Sequence, residues 1–299
     1  MLLAAFSLAT CQAQTGSSSS PDKWTSPDGS ARLQLYQAQQ ANEMARLTIS
    51  HDGGPDVKIF VKELAAVRAL AEEHGLELSG LATNLYWGAN AASADPAVRA
   101  RAAHILIRQI ECAAALGIDA ILVIPGAVGV DFIPGAEEVP YDVAYERGHA
   151  FIAAALPLAE SRRVHLAIEN VWNKLLLSPL EMRTFIDSFG SPWVGSYFDT
   201  GNVLATGYPE HWIAILGPRL RRVHLKDFRR AAGTIHGFVE PLSGDANWPA
   251  ILAALRAVEY NGWIAAEMIL PAPFYKHHPE TLIANVARAM DAILGGDGV

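Results

Sequence analysis

Glu169, Asp199, His224 and Glu267 fall at the C-terminal ends of four successive short apolar runs, VHLAIEN, VGSYFDT, RVHLKDF and WIAAEM, about 25 to 45 residues apart. Three carboxylates and one imidazole make a hard, mainly oxygen donor set, which suits Mn²⁺ first, with Mg²⁺ or Co²⁺ as substitutes, and is unlike the sulfur-rich sets of structural zinc. Such an ion acts as a Lewis acid on a carbonyl and its neighbouring hydroxyl. Two glutamates flanking a bound sugar can then take a proton from the carbon beside the carbonyl and return one to the opposite face, inverting a stereocentre through an enediolate. Singly, each acid reads as a helix cap or ion-pair partner, and His224 as a satisfied core or rim histidine. Together, at one end of consecutive strands, they read as a site.

The elements that must position them follow from the pattern. Short β-branched runs alternate with longer stretches of helical period, which implies parallel strands joined by crossover helices. The strand candidates are Leu47 to Ser50, Leu78 to Thr83, Ala120 to Gly126, Val164 to Asn170, Val194 to Thr200, Arg222 to Phe228 and Trp263 to Met268. Helices are expected over residues 56–75, 95–117, 178–190 and 247–262. Asp95 with Pro96 and Ser178 with Pro179 place a capping side chain before a first-turn proline, and Gly75, Gly117 and Gly190 stand where helices stop. The fold expected is a (β/α)8 barrel, whose strand ends converge on one face. Seven strand candidates leave the first unit unassigned, and the apolar opening from Leu2 to Ala9 is the segment that could supply it. Residues 1–45 therefore read as an atypical N-terminal segment, poorly ordered through its polar stretch from Gln12 to about Gln40, and 46–299 as the barrel domain.

At 299 residues and 51% hydrophobic the chain can bury a large core, and its net charge of −8 offers no basic footprint for nucleic acid. Two cysteines, Cys11 and Cys112, do not make a disulfide framework, and a cytoplasmic setting is expected. The opening MLLAAFSLATC raises an exported alternative, although no Lys or Arg precedes its apolar run. No membrane span is expected. IPGAVGV lacks the spacing of a dinucleotide or phosphate loop, so no nucleotide cofactor is expected and the segment reads as a strand followed by an active-face loop. Tyr86 and Trp87 read as a rim or core pair able to wall a sugar, and His51, His149, His165, His236, His277 and His278 as structural or solvated.

The strings IENVWNKLLLSPLEMRTFID, YFDTGNVLATGYPEHW, RVHLKDFRR and GWIAAEM resemble the sugar phosphate isomerase/epimerase family of xylose-isomerase-like TIM barrels over roughly Lys58 to Leu294. Ketose 3-epimerases and L-ribulose-5-phosphate 3-epimerases are the nearest functional relatives that this resemblance suggests. It implies a metal on Glu169, Asp199, His224 and Glu267, with Glu169 and Glu267 doubling as the acid/base pair, and a pocket completed by Asn170, Lys174, Asn202, Asp227 and Arg229. Lys174, Arg229 and Arg230 are the cations available to a substrate phosphate, or are ordinary solvated rim charge. The partner implied is a small sugar or sugar phosphate, and a homo-oligomer is compatible with it. Residues 1 to 50 follow the family plan only loosely, so the first βα unit is expected to be atypical or incomplete.

Three rival readings share this scaffold. Dehydratases of inosose and of dehydroshikimate use the same ligand set for elimination. Abasic-site endonucleases of the endonuclease IV type need further His and acidic ligands for three zinc ions, and basic contacts that this acidic chain lacks. A protein that keeps its ligands and binds sugar without turnover is the third.

Overall fold

The computed structural model describes the backbone of residues 61–267 and 279–295, with side chains over 64–267 and 281–295, and, ahead of them, the backbone of four strands: β1 (Leu2–Ala5), β2 (Lys23–Thr25), β3 (Arg32–Tyr36) and β4 (Arg46–Ile49). Six parallel strands form the body of the main sheet: β5 (Gly80–Thr83), β6 (Ala120–Val123), β7 (His165–Glu169), β8 (Val194–Asp199), β9 (Leu220–Leu225) and β12 (Trp263–Ala266). A two-stranded ribbon, β10 (Asp227–Phe228) with β11 (Phe238–Val239), lies between the last two in sequence. The chain thus has the TIM-barrel βα repeat from β5 onward, its sheet curling part of the way round a barrel.

The N-terminal strands differ from the expected plan. β1 joins the sheet edge beside β5, but antiparallel to it, pairing Leu2 with Thr83 and Ala5 with Gly80. The run LTIS forms a strand that belongs to a separate antiparallel sheet, with Leu33 opposite Ile49 and Leu35 opposite Leu47. Its sequence explains this: RLQLY and RLTI alternate apolar with polar residues, the mark of a half-buried antiparallel strand, whereas barrel strands such as AILV are continuously apolar. Strands also stand inside the stretch read from composition as a polar tail. The parts of that tail between them, Cys11, His51, residues 56–60 of the first expected helix, Met268, His277 and His278 lie outside the described residues.

The expected helices form as α1 (Val61–Glu73), α2 (Pro96–Leu116), α4 (Pro179–Asp187) and α7 (Trp248–Ala257), joined by α3 (Tyr141–Arg162), α5 (Thr200–Leu204), α6 (Pro209–Leu216) and α8 (Pro279–Leu294). Asp95 caps α2 by accepting from the Ala97 N–H, and Ser178 caps α4 by accepting from the Glu181 N–H. Gly75, Gly117 and Gly190 have φ of +64°, +76° and +58°, the left-handed stops that a glycine provides without Cβ strain. The core lies between the sheet and this helical layer, where Leu166, Ile168, Phe198, Val223 and Leu225 meet Leu106, Ile110, Ile152, Met182 and Phe185, all fully buried. Each such side chain contributes about 1.5–3 kcal/mol by leaving water. Among the described residues, no helix is long and apolar enough to cross a membrane.

Candidate active site

Parallel pairing brings the four sequence candidates to one end of the sheet. Glu169 ends β7 and Asp199 ends β8; Asp199 lies directly across from His224 of β9, and Glu267 follows β12, its N–H bonded to the Leu225 carbonyl. One potential ligand atom from each of the four falls within 4.8 Å of the others. Glu169, Asp199 and His224 are buried, while the Glu267 side chain retains 29% exposure, so it is the member of the set that faces the open side.

Asp199 caps a helix and also stands in the cluster. Its Oδ1 caps α5 by accepting from the Asn202 N–H at 2.7 Å, leaving Oδ2 for the cluster. Asp199 Oδ2 and His224 Nδ1 stand 4.0 Å apart, both buried; neither closes a well-formed hydrogen bond among the described residues, and their charged neighbours are Lys226 Nζ, 3.8 Å from Oδ2, and Glu267 Oε2, 3.3 Å from Nδ1. Two such atoms aimed at one space cost about 1–3 kcal/mol each if left unsatisfied. A cation between them would satisfy both, and the hard donor set fits a divalent ion.

One member of the cluster was not among the residues singled out from sequence. The Lys226 Nζ lies 3.1 Å from Glu267 Oε2, 3.8 Å from Asp199 Oδ2 and 3.3 Å from Asn202 Oδ1, in a buried side chain. Strand alternation carried the signal: two residues beyond His224, Lys226 must share its face. Electrostatics follow from this packing. Burial pushes the Glu169 carboxyl well above the usual range, and Glu267 and Asp199 push it further against the opposing pull of Lys226. Burial likewise raises Asp199, again against Lys226. At Glu267 the surrounding protein acts to raise the carboxyl, but Lys226 and His224 together outweigh it and hold it well below. Burial acts to lower Lys226, and the three carboxylates overcome it and raise it.

The outer candidates take different places. Asn202 touches the cluster, its Nδ2 being 3.4 Å from Glu169 Oε1. Asn170 clamps the main chain of Asp199, accepting from its N–H at 2.9 Å and donating to its carbonyl at 2.8 Å. Asp227 is fully buried and accepts from the N–H groups of Phe228, Gly244 and Ala246. Lys174 is half-exposed and pairs with Asp131 at 2.6 Å, Arg229 donates to the Ser243 carbonyl on the surface, and Arg230 donates to the Gly207 carbonyl and stacks on Tyr208. Trp87 meets Phe132 edge to face, while Tyr86 is buried against Gln109. His149 stacks on Phe189 and His165 on Trp193, away from the cluster.

Residues 43–293 match the family model described as a xylose isomerase-like TIM barrel. The chain is similar to the 2-epi-5-epi-valiolone 7-phosphate 2-epimerase of Actinoplanes sp., at 30% identity over 67% of this chain and 68% of that protein. Among solved structures, a D-psicose 3-epimerase determined in the presence of D-fructose superposes with a TM-score of 0.65 at 23% identity, over 80% of this chain and 86% of the other. An L-ribulose 3-epimerase superposes with a TM-score of 0.63 at 19% identity, over 81% and 83%. These superpositions bear on the fold.

Proposed function

The chain belongs to the xylose isomerase-like TIM-barrel family, and from that premise we propose that it is a divalent-metal-dependent isomerase of a small sugar or sugar phosphate, epimerising a ketose at its third carbon by proton transfer through an enediolate. The observation that carries this reading is the convergence of Glu169, Asp199, His224 and Glu267 within 4.8 Å. The similarity to an epimerase of a cyclitol phosphate supports the reaction class, and the third carbon is preferred because ketose 3-epimerases are the nearest functional relatives that the family resemblance suggests. Held by these four residues, an ion, Mn²⁺ by preference, would polarise the carbonyl and its neighbouring hydroxyl.

The remaining chemistry belongs to the side chains. Glu169 ends β7 and Glu267 follows β12, with β8 and β9 between them, an order that would let them reach a substrate from two sides of the cluster. One removes the proton beside the carbonyl and the other delivers a proton to the opposite face. Asn202 is positioned to orient a substrate oxygen next to Glu169. Asn170 and Asp227 serve the pocket by fixing the main chain that forms it, and Lys174 and Arg229, on loops at the same end of the sheet, are the cations that would meet a phosphate. The βα repeat from β5 onward carries the site.

The test is exchange of carbon-bound substrate hydrogen in D₂O, followed by NMR over a panel of free and phosphorylated ketoses with Mn²⁺. Exchange that a chelator removes, and that Glu267→Gln abolishes while far-UV circular dichroism is unchanged, is expected. Undiminished turnover in Glu267→Gln would overturn the acid/base assignment. Growth of ultraviolet absorbance with loss of water would replace epimerisation by elimination, and stoichiometric Mn²⁺ binding with no exchange on any ketose would leave a binding protein.

A further inference from the structure

The reaction outlined above assigns no step to Lys226, although it lies within the ligand cluster. Its ammonium faces Glu267 Oε2 at 3.1 Å and Asp199 Oδ2 at 3.8 Å, the same two oxygens that His224 Nδ1 faces at 3.3 and 4.0 Å. The fold is shaped to put it there. Thr200 Oγ1 donates to the Lys226 carbonyl at 2.8 Å and accepts from its N–H at 2.9 Å, fixing the backbone. Gly201 clears the stem, since a Cβ there would lie 2.7 Å from Lys226 Cγ and 2.8 Å from its Cβ. Phe238 covers the ammonium, with its ring centre 4.4 Å from Nζ. A buried ammonium is costly unless anions surround it, and buried carboxylates packed this closely repel one another unless a cation stands among them.

We propose that Lys226 is the resident counter-cation of the ligand cluster, holding Glu267 and Asp199 in ligand geometry while the protein carries no metal and thereby setting how tightly a divalent ion binds. It acts through those two carboxylates and is a positioning residue. The inference rests on the metal-binding reading above. Because the ammonium and a divalent ion compete for the same anionic field, Lys226 stabilises the metal-free protein more than the loaded one. Thermodynamic linkage then makes the stability it gives the metal-free state and the affinity it takes from the metal one quantity.

The experiment uses the full chain, chelator-treated, as wild type, Lys226→Met and Gly201→Ala, with thermal melts with and without saturating Mn²⁺ and calorimetric titration with Mn²⁺ alone. Lys226→Met is expected to melt below wild type without metal, to converge on it with Mn²⁺, and to bind Mn²⁺ at least about tenfold more tightly, a floor set by one unit charge a few Å from a divalent ion even with the screening of bulk water. Gly201→Ala, which alters no charge but displaces the lysine stem, is expected to move the same way by less. A Lys226→Met chain that folds only with Mn²⁺ would support the proposal in its strongest form. Equal losses with and without Mn²⁺, unfolding under both conditions, or unchanged Mn²⁺ affinity would overturn it, since ordinary packing damage gives those results. Wild type that takes up no Mn²⁺ would overturn the metal reading itself.

Discussion

Asp227 gives the sharpest stability prediction, because its two oxygens can be counted against the donors they serve. Oδ1 accepts from the Phe228 N–H at 2.9 Å and the Ala246 N–H at 3.1 Å, and Oδ2 accepts from the Gly244 N–H at 2.9 Å. The carboxylate thus latches the loop that follows β11 onto β10, and a Cβ at Gly244 would collide with it. Burial raises the Asp227 carboxyl above its ordinary range in spite of these donors. Asp227→Asn keeps one oxygen, which can retain the two bonds at the Oδ1 position and leaves one N–H facing an amide, at about 1–3 kcal/mol. Asp227→Ala leaves the Phe228, Gly244 and Ala246 donors without this acceptor, and about 3–6 kcal/mol is expected, reduced where water reaches the partly buried Gly244 and Ala246. Thermal unfolding reads this at about 2–4 °C per kcal/mol, and limited proteolysis should cut within 240–246 in the alanine variant first. An asparagine variant as damaged as the alanine one, or neither losing more than about 0.5 kcal/mol, the ordinary spread of surface substitutions, would refute the acceptor count.

Gln109 ties α2 to the sheet by accepting from the Tyr86 hydroxyl at 2.7 Å and donating to the Leu81 and Leu122 carbonyls at 3.0 Å each. Gln109→Leu conserves the volume, leaves three buried groups unpaired and should cost about 2–4 kcal/mol in urea unfolding; a loss under about 1 kcal/mol would show that these groups find other partners. Gly126, at φ +151°, has its Cβ position 2.9 Å from Ala92 Cβ and 3.2 Å from the Ala92 nitrogen, and its carbonyl accepts from Asn173 Nδ2 at 2.7 Å. Gly126→Ala should lower stability by about 1–3 kcal/mol through this overpacking, and a variant as stable as wild type would mean that the loop after β6 yields freely.

The βα repeat was legible because its punctuation is local: Asp95 and Ser178 cap, Pro96 and Pro179 start, and the glycines stop helices where the structure has them. The four ligand candidates were legible because a residue at a parallel strand's end goes to a known face. Which neighbours share that face was harder to read. Asn170 and Asp227 each lie one residue beyond a cluster member, and their polar atoms turn to main-chain groups, Asp199 for one and Gly244 with Ala246 for the other. Lys226 obeys the alternation, yet a lysine is so seldom fully buried that its residue type argued against its position. At the N-terminus, Leu2 to Ala9 and Leu47 to Ser50 were legible as strands but their partners were not: a four-residue run such as LLAA does not encode what it pairs with, and the direction of β1 against β5 is a tertiary choice.

That same alternation divides labour within the barrel wall. Along β9, Val223 and Leu225 join the core beneath the helices, while Arg222, His224 and Lys226 alternate with them on the opposite side of the strand. Arg222 holds the Ser79 carbonyl and Asp119 at the starts of β5 and β6, and His224 and Lys226 meet the acids at the strand ends. On β8, Phe198 stacks towards Trp212 of α6 while Tyr197 and Asp199, on the other side, meet His224. The apolar residues that stabilise the fold and the polar ones that form the site therefore occupy interleaved positions on opposite faces of the same strands. Crowding three carboxylates around one imidazole is unfavourable for a core, and it is tolerated here because the helix-facing layer supplies the stability. The polar face is then left to answer to charge, with Lys226 set between the Asp199 and Glu267 carboxylates as its internal balance.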